Sequence, residues 1–265
     1  MMRWLWVDRE TAPVVVAELL ARQLQARPES VLGLPTGRSA VPMYRHLGVL
    51  YAAGVVSFRA ATTFNLDEYV GLAHDAPESY HAYMRTHLLG RVDMAPERFH
   101  IPDGARGEPE AECAFYEQAI RQAGGWDLAV LGLGRNGHIA FNEPGTLAER
   151  PTHVVRLSAS TRAANRADFP DGRPVPERAI TVGLGTILAA RSILVLATGT
   201  GKAHALRSLA TGVVDPSVPA TVLHRHADVT VVADRALRWR RETTDAPVIA
   251  ARRTTSTPTA FGGPA

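Results

Sequence analysis

The densest run of reactive side chains lies between Gly132 and Pro144, which reads GLGRNGHIAFNEP. It holds Asn136, His138 and Glu143 close together between small residues. An imidazole titrates near neutral pH, so one histidine here can both take and return a proton. A carboxylate five residues on can orient or tune it, and Asn136 can support either. The glycines also match G-x-G-x-x-G after an apolar run, the fingerprint of a dinucleotide site. Context argues against that reading. No Asp or Glu lies between Arg150 and Ala167, where a ribose-binding acid belongs, and Pro144 comes too soon for a long helix. The glycines therefore serve to expose a proton-transfer cluster.

Three further segments supply complementary chemistry. In Phe64-Asn65-Leu66-Asp67-Glu68-Tyr69 two carboxylates are adjacent at the end of an apolar run. Successive strand side chains point to opposite sides, so one can face a pocket and the other the protein. A carboxylate in a cleft, here Asp67, is a natural general base. Leu32–Ser39, LGLPTGRS, places a glycine turn between a strand and a helix that starts near Ser39. Backbone N–H groups of Thr36, Gly37, Arg38 and Ser39 can receive a phosphate there. Thr198–Ala203, TGTGKA, superficially resembles a nucleotide-triphosphate loop. The earlier glycine that such a loop needs is Leu196, and Ala203 follows the lysine instead of Ser or Thr. Lys202 at a glycine-rich helix start still suits a sugar phosphate.

These residues must be positioned by the rest of the chain. Arg3–Val7, Ser30–Pro35, Ala60–Asn65, Trp126–Gly132, Val154–Leu157, Ser192–Thr198 and Asp228–Ala233 read as continuously apolar strands. That is the pattern of parallel strands buried on both faces. Helical patterns lie between them. Thr11 is a cap for a helix with Pro13 in its first turn and Val15, Val16, Leu19, Leu20 and Leu24 on one face. Ser39–Ala53, Ser79–Leu89, Pro109–Ala123 and Gly201–Thr211 are similar. The alternation predicts a doubly wound, mostly parallel, Rossmann-like α/β fold over residues 1–250 as one domain. Ligands bind at the carboxyl ends of strands in such a fold, and all four reactive segments fall there. Residues 251–265, rich in Thr, Gly and Pro, read as a disordered tail.

Composition narrows the class of function. The 265 residues are 46% hydrophobic and 21% charged, ordinary for a globular enzyme. The single cysteine, Cys113, excludes an internal disulfide and a zinc thiol pair, and it reads as a packed helical residue in a reducing compartment. No window approaches the ~18 apolar residues of a membrane span, and no signal peptide is legible, so a soluble cytoplasmic protein is expected. Net charge is +3, with Arg238, Arg240 and Arg241 the densest basic group. A nucleic-acid binder concentrates its cations in a stripe, so no nucleic-acid partner is expected.

Taken together, the segments resemble the glucosamine-6-phosphate deaminase family. The resemblance rests on LGLPTG at Leu32–Gly37, SF and TTFNLDEYVGL within Ser57–Leu72, PESY at Pro77–Tyr80 and GLGRNGHIAFNEPG at Gly132–Gly145. It continues through STRAAN at Ser160–Asn165, AITVGLGTIL at Ala179–Leu188 and the turn at Lys202. It implies an amino-sugar phosphate substrate, isomerised with release of ammonia and without a cofactor. Its phosphate would lie on Thr36–Ser39 and Lys202, His138 would open the sugar ring with Asn136 and Glu143 in support, and Asp67 would remove the C2 proton. Arg38-Ser39-Ala40 departs from the family's usual phosphate turn, and Arg166 stands one residue before the place of a family arginine. Activated members carry serines after FNEP and basic residues beyond. Gly145-Thr146-Leu147 and His153-Val154-Val155 stand there instead, so no activation by N-acetylglucosamine 6-phosphate is expected. Assembly into a homo-oligomer is left open.

Two other functions fit part of the same pattern. A 6-phosphogluconolactonase-type hydrolase shares the fold and a similar histidine turn, but typically follows the histidine with a Ser-Leu-Phe-Pro-like run. Ala140–Pro144 is AFNEP here. A non-catalytic sugar-phosphate sensor would carry a helix-turn-helix before the domain, and the apolar strand beginning at Arg3 leaves no room for one.

Overall fold

The computed structural model describes residues 2–170 and 172–238. The tail read at 251–265, Arg240 and Arg241 lie outside the described residues. Along the chain run β1 (Arg3–Val7), α1 (Ala12–Ala26), β2 (Val31–Leu34), α2 (Val41–Ala52), β3 (Thr62–Asn65), β4 (Asp67–Tyr69) and α3 (Tyr80–His87). Then follow β5 (Phe99–His100), α4 (Pro109–Gln122), β6 (Leu128–Gly132), β7 (His153–Arg156), α5 (Ala159–Asn165), β8 (Arg178–Thr181), α6 (Leu184–Leu188), β9 (Ser192–Ala197), α7 (Ala203–Ala210) and β10 (Val229–Asp234).

Seven strands form one sheet in the order β1-β10-β9-β6-β2-β3-β5, every neighbouring pair parallel. This is the mostly parallel, doubly wound α/β fold that strand-helix alternation predicts. The strands are apolar on both faces because both are covered. Leu128, Val130, Leu194 and Leu196 pack with α1 and α2 through Val16, Leu20, Leu24, Met43 and Leu47. Ala129, Leu131, Ile193 and Val195 face the other way, against Tyr116 and Ile120 of α4, Ile187 of α6 and Leu206 and Leu209 of α7. Full burial of each such Leu, Ile or Val contributes ~1.5–3 kcal/mol.

The chain moves outward from β2 to β3 and β5, then returns to β6 on the opposite side of β2. Loops leaving β2 and β6 therefore diverge, and a crevice opens above their carboxyl ends, where open α/β sheets bind ligands.

Several elements differ from the sequence reading. The run read as Val154–Leu157 is β7, His153–Arg156, and it is not in the parallel sheet. It pairs antiparallel with β8, which pairs antiparallel with β4, in a separate three-stranded sheet. Only half-buried Val154 and Val155 are apolar in β7, and Val155 packs on Tyr69, Phe141 and Leu157. A short apolar run carries no record of which sheet it joins. The strands β4, β5 and β8 and the helices α5 and α6 escape the sequence pattern, being short or polar. Thr11 occupies the cap position of α1, but its side chain caps nothing. The Asp8 carbonyl instead accepts from the Thr11 and Ala12 amides. Ala40, not Ser39, stands at the cap of α2. Cys113 is buried on α4, and burial pushes its thiol up to about 12. Among the described residues, no helix is long and apolar enough to cross a membrane.

Candidate active site

The turn after β2 is held from below by two phenols. Tyr44 of α2 donates to the Pro35 carbonyl at 2.5 Å, and Tyr83 of α3 donates to the Gly37 carbonyl at 2.8 Å. Gly37 sits at φ +95°, a backbone shape that side chains disfavour. With two carbonyls tied down, the turn is fixed in shape and its amides are free of an ordinary strand ladder. Thr36 and Gly37 are half-buried, whereas Arg38 and Ser39 are exposed. Arg38 reaches across to the last turn of α5 and the segment after it, donating to the Ala164 carbonyl at 2.8 Å and lying 3.5 Å from Asp168. Arg166, on that segment, donates to the carbonyls of Phe169 and Pro170. The direct tie from this segment to the turn is thus made by Arg38.

Asp67 begins β4, two residues past the end of β3, and is 6% exposed. Burial pushes its carboxyl up to about 8, the neighbouring Glu68 charge adds to the rise, and a polar contact with the Thr36 hydroxyl opposes it. Asp67 and Glu68 point apart, as strand alternation requires. Glu68 turns to the start of α3, where it accepts from the Tyr80 and His81 amides.

The loop after β6 carries the imidazole. Gly134 lies directly under His138, and a Cβ there would overlap the ring, so only glycine fits. Ala140 adopts φ +51°, a strained choice that costs of order 1–3 kcal/mol. Asn142 holds the bend by donating to the Ile139 and Val182 carbonyls at 3.0 and 2.8 Å. Phe141 N donates to the Thr181 hydroxyl, and Thr181 pairs with Asp67 across the small sheet. The loop is thereby registered against the strand that carries Asp67.

Asn136, His138 and Glu143 come together as expected. Asn136 Nδ2 donates to Glu143 Oε2 at 2.8 Å, and its Oδ1 accepts from the His138 amide at 3.2 Å. The other Glu143 oxygen accepts from the Ser158 hydroxyl at 3.0 Å and from the Thr161 hydroxyl. Burial alone would raise the Glu143 carboxyl. The bonds from Thr161 and Asn136, the His138 charge and the Ser158 bond outweigh it and hold Glu143 below its usual range. Burial lowers the His138 imidazole, Glu143 opposes this, and the Lys202 charge adds to the lowering. His138 is thus neutral near pH 7, and its buried Nδ1 makes no hydrogen bond among the described residues.

Lys202 ends a one-turn helix, Thr200–Lys202, that follows β9. Burial lowers its ammonium, and Arg135 lowers it further. Arg135 lies against Gly201, its Nε 3.1 Å from where a Cβ would stand. Sequence reasoning passed over Arg135 because it sits inside the glycine motif, and over Tyr44, Tyr83, Ser158 and Thr161 because they lie on separate elements. Their only sequence signal is membership of helix starts and the STRAAN block. Among the described residues, no group of three or more His, Cys, Asp or Glu side chains is arranged to hold a metal ion.

The arrangement joins an anion-binding turn, a buried basic carboxylate, a neutral imidazole on an ionised carboxylate, and a half-buried lysine. It can accommodate an anionic headgroup and move protons at two places. Known proteins match most of this chain. Residues 10–232 match the family described as glucosamine-6-phosphate isomerases/6-phosphogluconolactonase. A glucosamine-6-phosphate deaminase of Geobacillus is 48% identical over 219 residues, covering 83% of this chain and 87% of that protein. A solved monomeric glucosamine-6-phosphate deaminase superposes with a TM-score of 0.86 at 43% identity, covering 89% of this chain and all of that one. A 6-phosphogluconolactonase of Thermotoga maritima, at 20% identity and a TM-score of 0.70, shares the fold alone.

Proposed function

Because the chain belongs to the family of glucosamine-6-phosphate isomerases and 6-phosphogluconolactonases, we propose that it is the deaminase of that pair, converting D-glucosamine 6-phosphate and water to D-fructose 6-phosphate and ammonia. The observation that carries this reading is the buried Asp67, whose raised proton affinity makes it a base, set in register with the His138 loop. Isomerisation needs two proton-moving groups, one for ring opening and one at carbon.

The substrate binds as a pyranose with its phosphate on the amides of Thr36, Gly37, Arg38 and Ser39 and on Lys202. Arg166 closes over it from the segment after α5. Neutral His138 accepts the proton of the O1 hydroxyl as the ring C1–O5 bond breaks, and O5 receives a proton in turn. Glu143, with Asn136, stabilises the imidazolium that forms. Asp67 then takes the C2 proton, the C–H electron pair forms the C1–C2 double bond, and the carbonyl pair moves to O1, which takes a proton from solvent to give an enolamine. Protonation at C1 yields the C2 imine. Water adds to C2, the C–N bond breaks, and ammonia leaves. Every step is acid–base chemistry on groups of this chain.

The lactonase reading would need only water attack on an ester and gives the raised carboxyl of Asp67 no task. The lone, buried Cys113 and a phosphorylated substrate support a cytoplasmic location. Incubation with glucosamine 6-phosphate, with ammonia and fructose 6-phosphate assayed together, tests the proposal. Equimolar appearance of both is expected. Absence of both, with 6-phosphogluconolactone hydrolysed instead, would overturn it.

A further inference from the structure

Behind Asp67 stands a second carboxylate to which the mechanism gives no task. Glu68 is 1% exposed, yet each of its oxygens is fully engaged. Oε1 accepts from the Tyr69 amide at 2.8 Å and the Tyr80 amide at 3.1 Å. Oε2 accepts from the His81 amide and from His81 Nδ1, both at 3.1 Å. Two of these amides open α3, so the carboxylate sits where helix amides favour negative charge. The His81 ring is stacked on His74, with centroids 4.0 Å apart and planes 11° apart, and His74 Nε2 meets Asp103 Oδ1 at 2.8 Å. A line of carboxylate, two stacked imidazoles and carboxylate thus runs from half-buried Asp103 to the residue beside the candidate base.

A buried carboxylate with neither water nor partners is costly, and such groups persist when hydrogen bonds satisfy them. Glu68 is satisfied as an anion by donors alone. If its task were only to join β4 to α3, a neutral amide could meet part of the same set. What an amide cannot supply is charge next to Asp67.

We propose that Glu68 is a positioning residue for Asp67, held by α3 and His81 so that its fixed negative charge stands behind the general base. The proposal deepens the functional reading above and rests on Asp67 being that base. Like charge nearby disfavours ionisation, which makes the carboxylate that must accept a carbon-bound proton more basic. After burial, Glu68 is the second cause of the rise in Asp67. The other groups facing Asp67 cannot substitute for it. Thr36 acts in the opposite sense. The phenols of Tyr44, Tyr69, Tyr80 and Tyr116, from α2, β4, α3 and α4, are all raised by burial and stay neutral where the enzyme would work. On the far side Glu68 meets His81, and beyond it His74 and Asp103.

The test is the pH profile of kcat/KM for glucosamine 6-phosphate in the parent protein, Glu68→Gln, Glu68→Asp and Asp67→Asn, with folding checked by circular dichroism. Glu68→Gln should move the acid limb to lower pH by about 1 unit, beyond any loss of rate. Glu68→Asp, which keeps the charge, should lose rate but hold the parent's limb. A merely structural role would lower activity at every pH without moving the limb. A folded Glu68→Gln protein with the parent's limb overturns the proposal. So does a Glu68→Asp limb displaced to the ordinary carboxylate range, which decides the matter should the glutamine variant not fold. Asp67→Asn separates the two readings. If it keeps more than half of the parent turnover, the base assignment fails and takes this inference with it. If it is inactive while the Glu68 limbs do not move, only this inference fails.

Discussion

At the scale of single residues, the site works by giving similar groups different environments. Asp67 and Glu143 are both carboxyl groups, but one is raised by burial beside a like charge and the other is lowered by hydroxyl and amide donors. The first can accept a proton from carbon and the second can stabilise an imidazolium, a division of labour that pKa separation makes possible. Replacing Asp67 by Asn keeps the shape and removes the acceptor, so turnover should fall ~10²–10⁴-fold while substrate binding is retained. Steady-state rates with an equilibrium binding measurement check this. The sign of the pH effect follows from the same residue. A base with its proton affinity raised to about 8 is ionised only above that pH, so kcat/KM of the free enzyme should climb as pH approaches 8 and fall away below it. The lowered imidazole of His138 imposes no second acid limb above neutrality. His138→Gln should slow the cyclic substrate ~10²–10⁴-fold and spare an open-chain analogue, because ring opening precedes the carbon step. Equal losses on both would remove His138 from that step.

At the scale of elements, each reactive residue is delivered by the carboxyl end of a different strand: the turn by β2, Asp67 by β3 and β4, His138 by β6, Lys202 by β9. The proposed phosphate site therefore draws on two turns that are remote in sequence and that strand order brings to one edge of the sheet. Lys202→Ala should raise KM for the phosphorylated sugar by the loss of one charge-assisted contact, roughly 1.5–3 kcal/mol, and barely change the poor rate with unphosphorylated glucosamine. An unchanged KM for the sugar phosphate would take the lysine out of the site. The same dependence explains what could be read beforehand. The seven-stranded sheet was legible apart from its short edge strand β5, because a strand buried on both faces is a continuous apolar word such as SILVLA in β9. The reactive residues were legible because glycine and proline frame them. The small sheet was not. Its β4 is Asp-Glu-Tyr, a sequence that reads as a solvated loop until α3 supplies donors for Glu68. Nor could the sequence show that Arg38 joins the turn to the end of α5, since that tie spans 126 positions. Tyr44 and Tyr83 read as helix-face aromatics, and only the packing of α2 and α3 turns their hydroxyls onto the turn.

At the scale of the molecule, the fold places its chemistry on one rim and leaves regulation to surfaces beyond it. An activating anion would have to bind one of two conformations better than the other, since a ligand shifts an equilibrium only by its differential affinity. The family resemblance locates such a pocket just after FNEP and along the following strand, here Gly145–Leu147 and β7. Every polar group remaining there is already engaged or neutral. The Thr146 hydroxyl donates to the Glu143 carbonyl within its own turn at 2.7 Å. His153 Nδ1 faces the Pro151 carbonyl at 2.9 Å, and burial, aided by the Arg150 charge and opposed by the Pro151 bond, lowers its imidazole and so disfavours the cation. Arg156 is paired with Glu177 at 3.2 Å. Leu147, 66% exposed, and Val155 offer only apolar surface. A phosphate deprived of charge-assisted donors loses roughly 1.5–3 kcal/mol for each, too much for a ligand that must also drive a conformational change. Rates should therefore follow a hyperbola in glucosamine 6-phosphate and be indifferent to N-acetylglucosamine 6-phosphate except as a competitor at the site itself. A sigmoidal curve that turns hyperbolic on adding the acetylated sugar phosphate would contradict this. It would mean that Arg156 leaves Glu177 to bind the effector, and Arg156→Ala should then abolish the response without altering the rate at saturating substrate.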